Sequence, residues 1–473
     1  KVLSPQAMLE RIDDRYAWLR DRSRDATGRH QALLAAIDWS FGLLEEEEQT
    51  LFCRLSVFSG GHTLAAAEAV CAAVGDSLSP AAVMDGLESL LDKSLVRREE
   101  GPDGEPRFTM LETIQHYARS RLAVRDDANL THSRHAAYFL ALVEKAESSL
   151  RGPQQAEWLD RLAADHGNLR AALRWLLNER KAAAALRFAA GLWRYWWMRA
   201  YLSEGRDALE QVLALAAAAT LDEAGLALRA KVLGGAGSLA RDQGNYVQAR
   251  AWFEESLAIC RALGEQAGLA AALNNLGSLA IYQEDYLSAQ PLFEESLALR
   301  RQAQDTIGTA GSLNNLGLVL MQLGEYSRAM ELYQESLQLY RRQTDQWGEA
   351  PALNNVGFAA FKLADLDKAR ASFVESLLLF QSLGDREGMA TIIEATAWIA
   401  LAEGQLERSA ALAGAAESQR RALGTVLYGL DQNEHQHAVG QLRKQLNAQR
   451  FAAASDRGEA LTLAQAVELA LKG

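Results

Sequence analysis

The chain has 473 residues, of which 49% are apolar and 23% charged, with a formal net charge of −12; the length suits two to four domains, and the charge argues against a whole-chain binder of nucleic acid or anionic membrane, leaving only local basic patches. Its three cysteines, Cys53, Cys71 and Cys260, lie far apart with no CxxC pair, so neither a disulfide framework nor a zinc knuckle is indicated and a reducing cytoplasmic setting fits. No apolar run approaches the roughly 20 residues of a membrane span, no signal peptide is visible, and seven prolines among abundant Ala, Leu, Glu, Gln and Arg favour helix.

The sequence starts at Lys1 and its first methionine is Met8, which reads as a piece of a longer protein. Residues 1–28 contain LSPQAMLERIDDRYAWL. Residues 29–128 read as short helices, QALLAAIDWSFGLL, EEEEQTLFCRLSVF, HTLAAAEAVC and PAAVMDGLESLLDKSL. A β-hairpin follows, LVRREE and RFTML about the turn GPDGEP, and ETIQHYARSRLA returns to helix. Helices followed by a two-stranded wing form a winged-helix pattern. A DNA reader of this type needs a basic recognition helix. Here residues 80–94 set Asp85, Glu88 and Asp92 against Lys93, and Glu99, Glu100 and Glu105 offset Arg97, Arg98 and Arg107. An interdomain hinge suits these charges better than a DNA-binding face.

Residues 129–225 read as a helical linker ending in a degenerate helix pair, GLWRYWWMRAYLSEGRDALEQVLALA. Trp193, Trp196 and Trp197 can be core packing or an interdomain contact; a binding platform is the alternative. From Lys231 the chain repeats every 40 residues. The first helix of each row carries LGGAG, LNNLG, LNNLG, LNNVG and IEATA. Turns at GNY, EDY, GEY, ADL and GQL follow. The second helices carry FEESL, FEESL, YQESL and FVESL, and Gly268, Gly308, Gly348 and Gly388 read as loop glycines closing the rows. Period, turn residues and small packing residues agree, and the rows resemble tetratricopeptide repeats of the long type found in kinesin light chains. The repeats span 226–425, and 426–473 read as capping helices. The fold class is therefore mainly α, a winged-helix domain followed by an α-solenoid of tetratricopeptide-like helix pairs.

Asparagine inside a helix costs about 0.6 kcal/mol relative to alanine, yet three rows carry two each. At about 100° per residue, Asn274, Ser278, Ile281 and Tyr282 fall on one side of their helix, away from Leu273 and Leu276. In repeats of this type that side lines the concave groove. Asn274, Asn314 and Asn354 would then form a ladder of amides able to bond a peptide backbone. Met321 and Phe361 join Ile281 as apolar wall, and Gln322 and Lys362 join Tyr282 as polar rim. Asn275, Asn315 and Asn355 point toward the neighbouring repeat and would tie the rows together. The resemblance to kinesin light chains supports the ladder, since such asparagines bind cargo peptide there. Both sets serving only as ties is the alternative.

AIDWSFGLL, RLSVFSGGHTLAAAEAVC, LLDKSLV, RFTMLETIQHYARSRL, DHGNLRAALRWLL and the tail RFAAASDRGEALTLAQAVELAL together resemble one family over almost the whole chain. It is the bacterial STAND class of signal-transduction ATPases, in its NB-ARC/LuxR-type regulator branch with winged-helix and tetratricopeptide parts. The family's ATPase module would precede the winged helix. No GxxxxGK[ST] occurs and Gly-Lys appears nowhere, so this chain offers no phosphate loop. The resemblance implies that residues 1–28 are the remnant of the module's helical subdomain. ATP or ADP with Mg is implied for that module only, and no cofactor for this chain. Related proteins carry a Met-His-Asp motif near bound nucleotide; the matching residues here are Met110, Leu111 and Glu112. Leucine cannot donate to phosphate, so these three fit an interdomain contact, with Glu112 favouring a helix N-terminus.

His435 and His437, and His132 and His135, lack a second ligand pair nearby, so a metal site is not indicated. No GxSxG or His–Cys signature suggests an enzyme. The expectation is a cytoplasmic sensor and scaffold, monomeric as this chain. Its groove takes a protein, peptide or small inducer, and its winged helix relays the event to an ATPase module. A DNA-binding peptide receptor is the alternative.

Overall fold

The computed structural model describes residues 24–72, 78–102, 104–150, 154–425 and 429–472. The segment expected as an ATPase remnant, 1–28, lies outside the described residues except for 24–28. These start helix α1 (Arg24–Gly42). The chain divides into two compact units, residues up to 144 with 160–181, and residues 145–159 with 182 onward.

In the first unit, α1 is followed by α2 (Glu46–Leu55), β1 (His62–Thr63), α3 (Leu64–Cys71), α4 (Pro80–Asp92), β2 (Arg97–Glu100), β3 (Pro106–Thr109) and α5 (Glu112–Leu122). Local chemistry sets these boundaries. The carboxylate of Glu48 returns to the Glu45 N–H at the start of α2, completing a capping box. Thr63 caps α3, and Ser79 caps α4 ahead of a proline at its first turn. The sheet is antiparallel in the order β1-β3-β2, with Arg98 opposite Phe108 and His62 on the other side of Phe108. The hairpin reading therefore gains a third strand. His62 and Thr63, read as the start of a helix, pair with β3 instead, because two residues are too few to show a strand period. Leu51, Phe52, Val70, Val83, Leu87 and Leu90 are buried at the centre. The early part of α6 (Ala128–Ser149), the end of α7 (Gln155–Ala164) and α8 (His166–Asn178) complete the unit.

The second unit begins its helix pairs with α9 (Ala182–Met198) and α10 (Leu202–Ala217). Five 40-residue rows follow as α11 (Glu223–Asp242) and α12 (Tyr246–Leu263), α13 (Gln266–Tyr282) and α14 (Tyr286–Gln302), α15 (Thr306–Gln322) and α16 (Tyr326–Arg342), α17 (Gln346–Lys362) and α18 (Leu366–Leu383), and α19 (Arg386–Ala402) and α20 (Leu406–Leu423). Helices α21 (Gly429–Gln445), α22 (Ala448–Glu459) and α23 (Leu463–Leu471) end the unit.

Four small devices recur along the rows. A carboxylate at the N-cap accepts the N–H of the glycine three residues on, as in Asp305 with Gly308 at 2.9 Å and Asp385 with Gly388 at 2.9 Å. Gly268, Gly308, Gly348 and Gly388 are thus helical residues of the first turn, not loop residues. A Cβ there would collide with the capping carboxylate at 268 and 308, and with the ring of Tyr340 or Phe380 at 348 and 388. The glycine of LNNLG admits an aromatic ring from the partner helix: a Cβ on Gly277 would lie 2.9 Å from Phe293, and one on Gly317 or Gly357 2.6 Å from Tyr333 or Phe373. The fifth row changes both partners together, with Ala397 and Ala413 at these positions. The serine of ESL donates to a carbonyl of its partner helix: Ser256 to Ala230, Ser296 to Ala270 and Ser336 to Ala310 at 2.8 Å, and Ser376 to Ala350 at 2.7 Å. Finally, each turn passes through a left-handed residue, Gly244, Glu284, Gly324, Ala364 and Gly404 within the rows, as helix C-termini require.

Candidate ligand groove and winged-helix face

Asparagines are brought together on the first helices by an offset of 41 residues. Asn315 Nδ2 donates to Asn274 Oδ1 at 3.2 Å, and Asn355 Nδ2 donates to Asn314 Oδ1 at 2.9 Å. In rows three and four the second asparagine therefore bonds the first asparagine of the row before it. One row earlier Gly234 replaces the first asparagine, and a Cβ there would lie 3.3 Å from Asn275 Nδ2. Four of the six asparagines, two from each set, are thus members of inter-row pairs. Asn274 and Asn314 each accept a bond in a pair, and no hydrogen bond from Asn274 Nδ2 or Asn314 Nδ2 occurs among the described residues. All six asparagines are half-buried. Two side-chain bonds worth about 1 kcal/mol each join four of them and offset part of their helix-propensity cost, with donors left over on one side.

Around this row the expected wall and rim divide. Tyr282 is 45% exposed and the Arg241 guanidinium lies 5.0 Å from its ring centre. Gln322 is half-buried. Ser278 turns its hydroxyl back to the Asn274 carbonyl at 2.9 Å. Ile281 packs against the core of Phe293 and Leu313. Met321, expected on the wall, is 2% exposed inside the core shared with Tyr333 and Phe358, because inter-row packing claims the long flexible side chain. Phe361 leans on Trp398, ring centres 6.2 Å apart. Lys362 is ion-paired with Glu434 of α21.

The tryptophans lie within the second unit. A Cβ on Gly235 would lie 2.8 Å from Trp193, and one on Gly205 2.7 Å from Trp196; these glycines let α9 pack closely against α11 and α10. Trp197 is 39% exposed and donates Nε1–H to Asp242 at 2.7 Å. Asp242 also pairs with Arg241. Burial, then Asp385, then Asp242 raise the Glu387 carboxyl above its ordinary value.

The fifth row replaces asparagine by Glu394, which is 1% exposed. His435 Nδ1 lies 2.8 Å from Glu394 Oε1, and Arg420 donates to Oε2 at 3.0 Å. Glu394 and His435 are 41 residues apart, the offset of the asparagine pairs. Helix α21 thus continues the ladder as a sixth first helix with a charged rung. Residues 426–473 were expected as capping helices; a period search carried one row further would have found His435. The Glu394 bond raises the His435 pKa above its ordinary value, and burial opposes it. Among the described residues no group of three or more His, Cys, Asp or Glu could hold a metal ion, and no helix is long and apolar enough to cross a membrane.

In the winged-helix unit the distinctive residues are spent on internal bonds. Arg107 donates to Asp165 at 2.6 Å and to the Gly61 and Ala164 carbonyls at 3.1 Å. Asn168 donates to Gly61 O at 2.7 Å and accepts the Ser59 N–H at 2.6 Å. The DHGN and SGG motifs therefore clamp one another, and a Cβ on Gly167 would overlap the Ser59 carbonyl. On α4, Lys93 is ion-paired with Glu48 at 2.7 Å. Arg97 and Arg98 are exposed on β2 beside exposed Glu99 and Glu100. Leu111 is the N-cap residue of α5, 41% exposed, with Glu112 in the first turn and Met110 half-buried before it. Burial drives the Cys53 and Cys71 thiols up to about 11 and 12, which leaves both inert.

Comparison with known proteins agrees with this architecture. A winged helix-turn-helix model matches residues 44–123, and tetratricopeptide-repeat models match residues 228–302 and 309–342. The chain is a winged helix joined to a tetratricopeptide solenoid. A protein of Mycobacterium tuberculosis, named a "Putative HTH-type transcriptional regulator", is 37% identical over 213 residues, which cover 45% of this chain and 24% of that protein. An uncharacterized protein of the same species is 29% identical over 134 residues, 28% of this chain and 34% of its own length. The chain thus spans about a quarter to a third of these relatives. A crystal structure of a STAND protein with a tetratricopeptide-repeat sensor, from Pyrococcus horikoshii, superposes with a TM-score of 0.50 at 14% identity, over 91% of this chain and 66% of that one. It shares the fold.

Proposed function

We propose that this chain is the sensor and scaffold portion of a STAND-type signal-transduction or transcription regulator. The groove on the first helices of rows two to four takes a protein, peptide or small inducer. The winged helix passes the event to an ATPase module outside this chain, and the chain itself performs no chemistry. The observation that carries this reading is the row of paired amides with unspent donors, flanked by exposed Tyr282 and by Gln322. A ligand can bond such amides without disturbing the repeat core. A ligand that prefers one arrangement of the solenoid shifts the population of the whole regulator.

The test captures ligand from source-cell lysate with the chain and with a Tyr282→Ala/Gln322→Ala variant, then measures direct binding of what is captured. The expected result is a loss of about tenfold or more in affinity, with no change in a Val247→Ala control. Val247 is 86% exposed, on the second helix of the first row. Equal affinity for all three chains would refute the groove. A second reading, DNA contact through the winged helix, is favoured by the winged helix-turn-helix match. Its mark would be duplex binding that weakens steeply with salt and depends on Arg97 and Arg98.

A further inference from the structure

The last rung of the ladder differs from the others in chemistry and in what it holds. Asparagine pairs join rows whose helices are also packed together by leucines and aromatics. Helix α21 is joined to the fifth row differently along its length. Its second half is anchored by Ala438, 4% exposed, and by Leu442 at 0%, which packs with Ala410, Leu446 and Ala454. In its first half, among residues 432–437, Gln432, Asn433, Gln436 and His437 are exposed, and only Glu434 and His435 are partly covered. Glu434 pairs with Lys362 on α17, and His435 pairs with Glu394 on α19 at 2.8 Å. These two contacts reach rows four and five from adjacent residues of one helix. No apolar side chain among 432–437 adds to them.

We propose that the first half of α21 is a protonation latch on the C-terminal end of the groove. Protonated His435 holds it against Glu394, and loss of that proton loosens residues 432–437 and uncovers Lys362. A charge-assisted bond is roughly twice as strong as a neutral one, so the imidazolium holds the helix and the neutral ring holds it weakly. The charges that bear on His435 are Glu394 on α19, and Arg420 and Glu417 on α20; Lys362 of α17 faces its neighbour Glu434, and α22 meets α21 through Phe451, over which Arg443 stacks at 5.4 Å. Glu394 keeps Arg420 as a partner at 3.0 Å when the proton leaves, so the buried carboxylate is not left bare and the latch can open. Trp398 Nε1 and Arg420 Nη1 are buried here without acceptors among the described residues, which gives an arriving partner bonds that α21 does not make. The latch rests on the groove reading only for its consequence; its own test uses no ligand.

The test is amide hydrogen exchange of the full chain at pH 6.0 and 8.5, corrected for intrinsic exchange. Residues 432–437 are expected to lose protection by about fivefold or more at the higher pH, while α13 and α15 keep theirs. In His435→Asn, which places an amide opposite Glu394, protection should not change with pH. In Glu394→Gln the transition should move to lower pH, because the carboxylate that favours the imidazolium is gone. Equal protection of wild type at both pH values, an unchanged pH response in His435→Asn, or an unmoved transition in Glu394→Gln would each overturn the latch. Failure here leaves the Tyr282 and Gln322 test untouched.

Discussion

The two units use buried polar groups in opposite ways. In the winged-helix unit Arg107, Asp165 and Asn168 form one network, made once, on which the SGG loop, strand β3 and helix α8 all depend. In the solenoid each polar device is small and recurs: four serine-to-carbonyl bonds, five caps onto a glycine, two asparagine pairs. A unique network concentrates risk in single residues. A repeated device spreads it, and lets single rows drift, as the fifth has.

The largest effect that would break this comparison is Arg107→Ala. It leaves Asp165 charged and buried, both side chains being 9% exposed in the pair, and should cost about 3–5 kcal/mol. Ser336→Ala should cost only about 1 kcal/mol. Urea unfolding followed by region-resolved exchange checks both, and similar losses would erase the distinction. Next, Gly357→Ala should destabilise by about 1–3 kcal/mol through collision with Phe373. Combined with Phe373→Ala, the loss should be less than the sum of the two single losses, because the fifth row already pairs Ala397 with Ala413. Strict additivity would count against that compensation.

The fold was largely legible because a period of 40 shows the same evidence five times, whereas the winged-helix clamp occurs once and leaves no period. Two kinds of error remain instructive. Gly268 and its equivalents read as loop residues because glycine marks loops; only the structure shows a carboxylate and a ring filling the space of the missing side chain. A helical wheel places Asn274 and Asn275 relative to their own axis and cannot reveal that their partners stand 41 residues away. Met321 and Lys362 were read as groove lining from that wheel, but one is core and the other is covered by Glu434. The period carried one row further reaches His435, but its pairing with Glu394 became legible only once the amide pairs had defined the 41-residue offset.

A smaller contrast lies in pH. Burial above all holds His62 down at about 3 and His135 at about 4, so both are neutral in the native first unit. The unfolded chain takes up these protons near pH 6.5, so that unit's stability falls as pH drops below about 6.5, by up to about 1.4 kcal/mol per pH unit for each histidine. His435 is raised, so its contribution is full below about pH 6.5 and is lost as pH rises through its native value. Exchange measured across pH 5 to 8.5 should show opposite slopes in the two units; parallel slopes would contradict the assignment. The smallest effect is a gain. Thr344 and Ala364 occupy left-handed positions at φ 51° and 62°, and glycine at either should stabilise the solenoid by about 0.5–1 kcal/mol, read as a raised urea midpoint.

The central claim is that the amide-lined face of the middle rows is where this protein meets its ligand. Amide exchange of the full chain with and without the captured ligand tests it most directly. Protection is expected along 274–282, 314–322 and 354–362, with the second helices of those rows unchanged. Protection confined to residues 80–100 of the winged helix, or to the second helices, would contradict it.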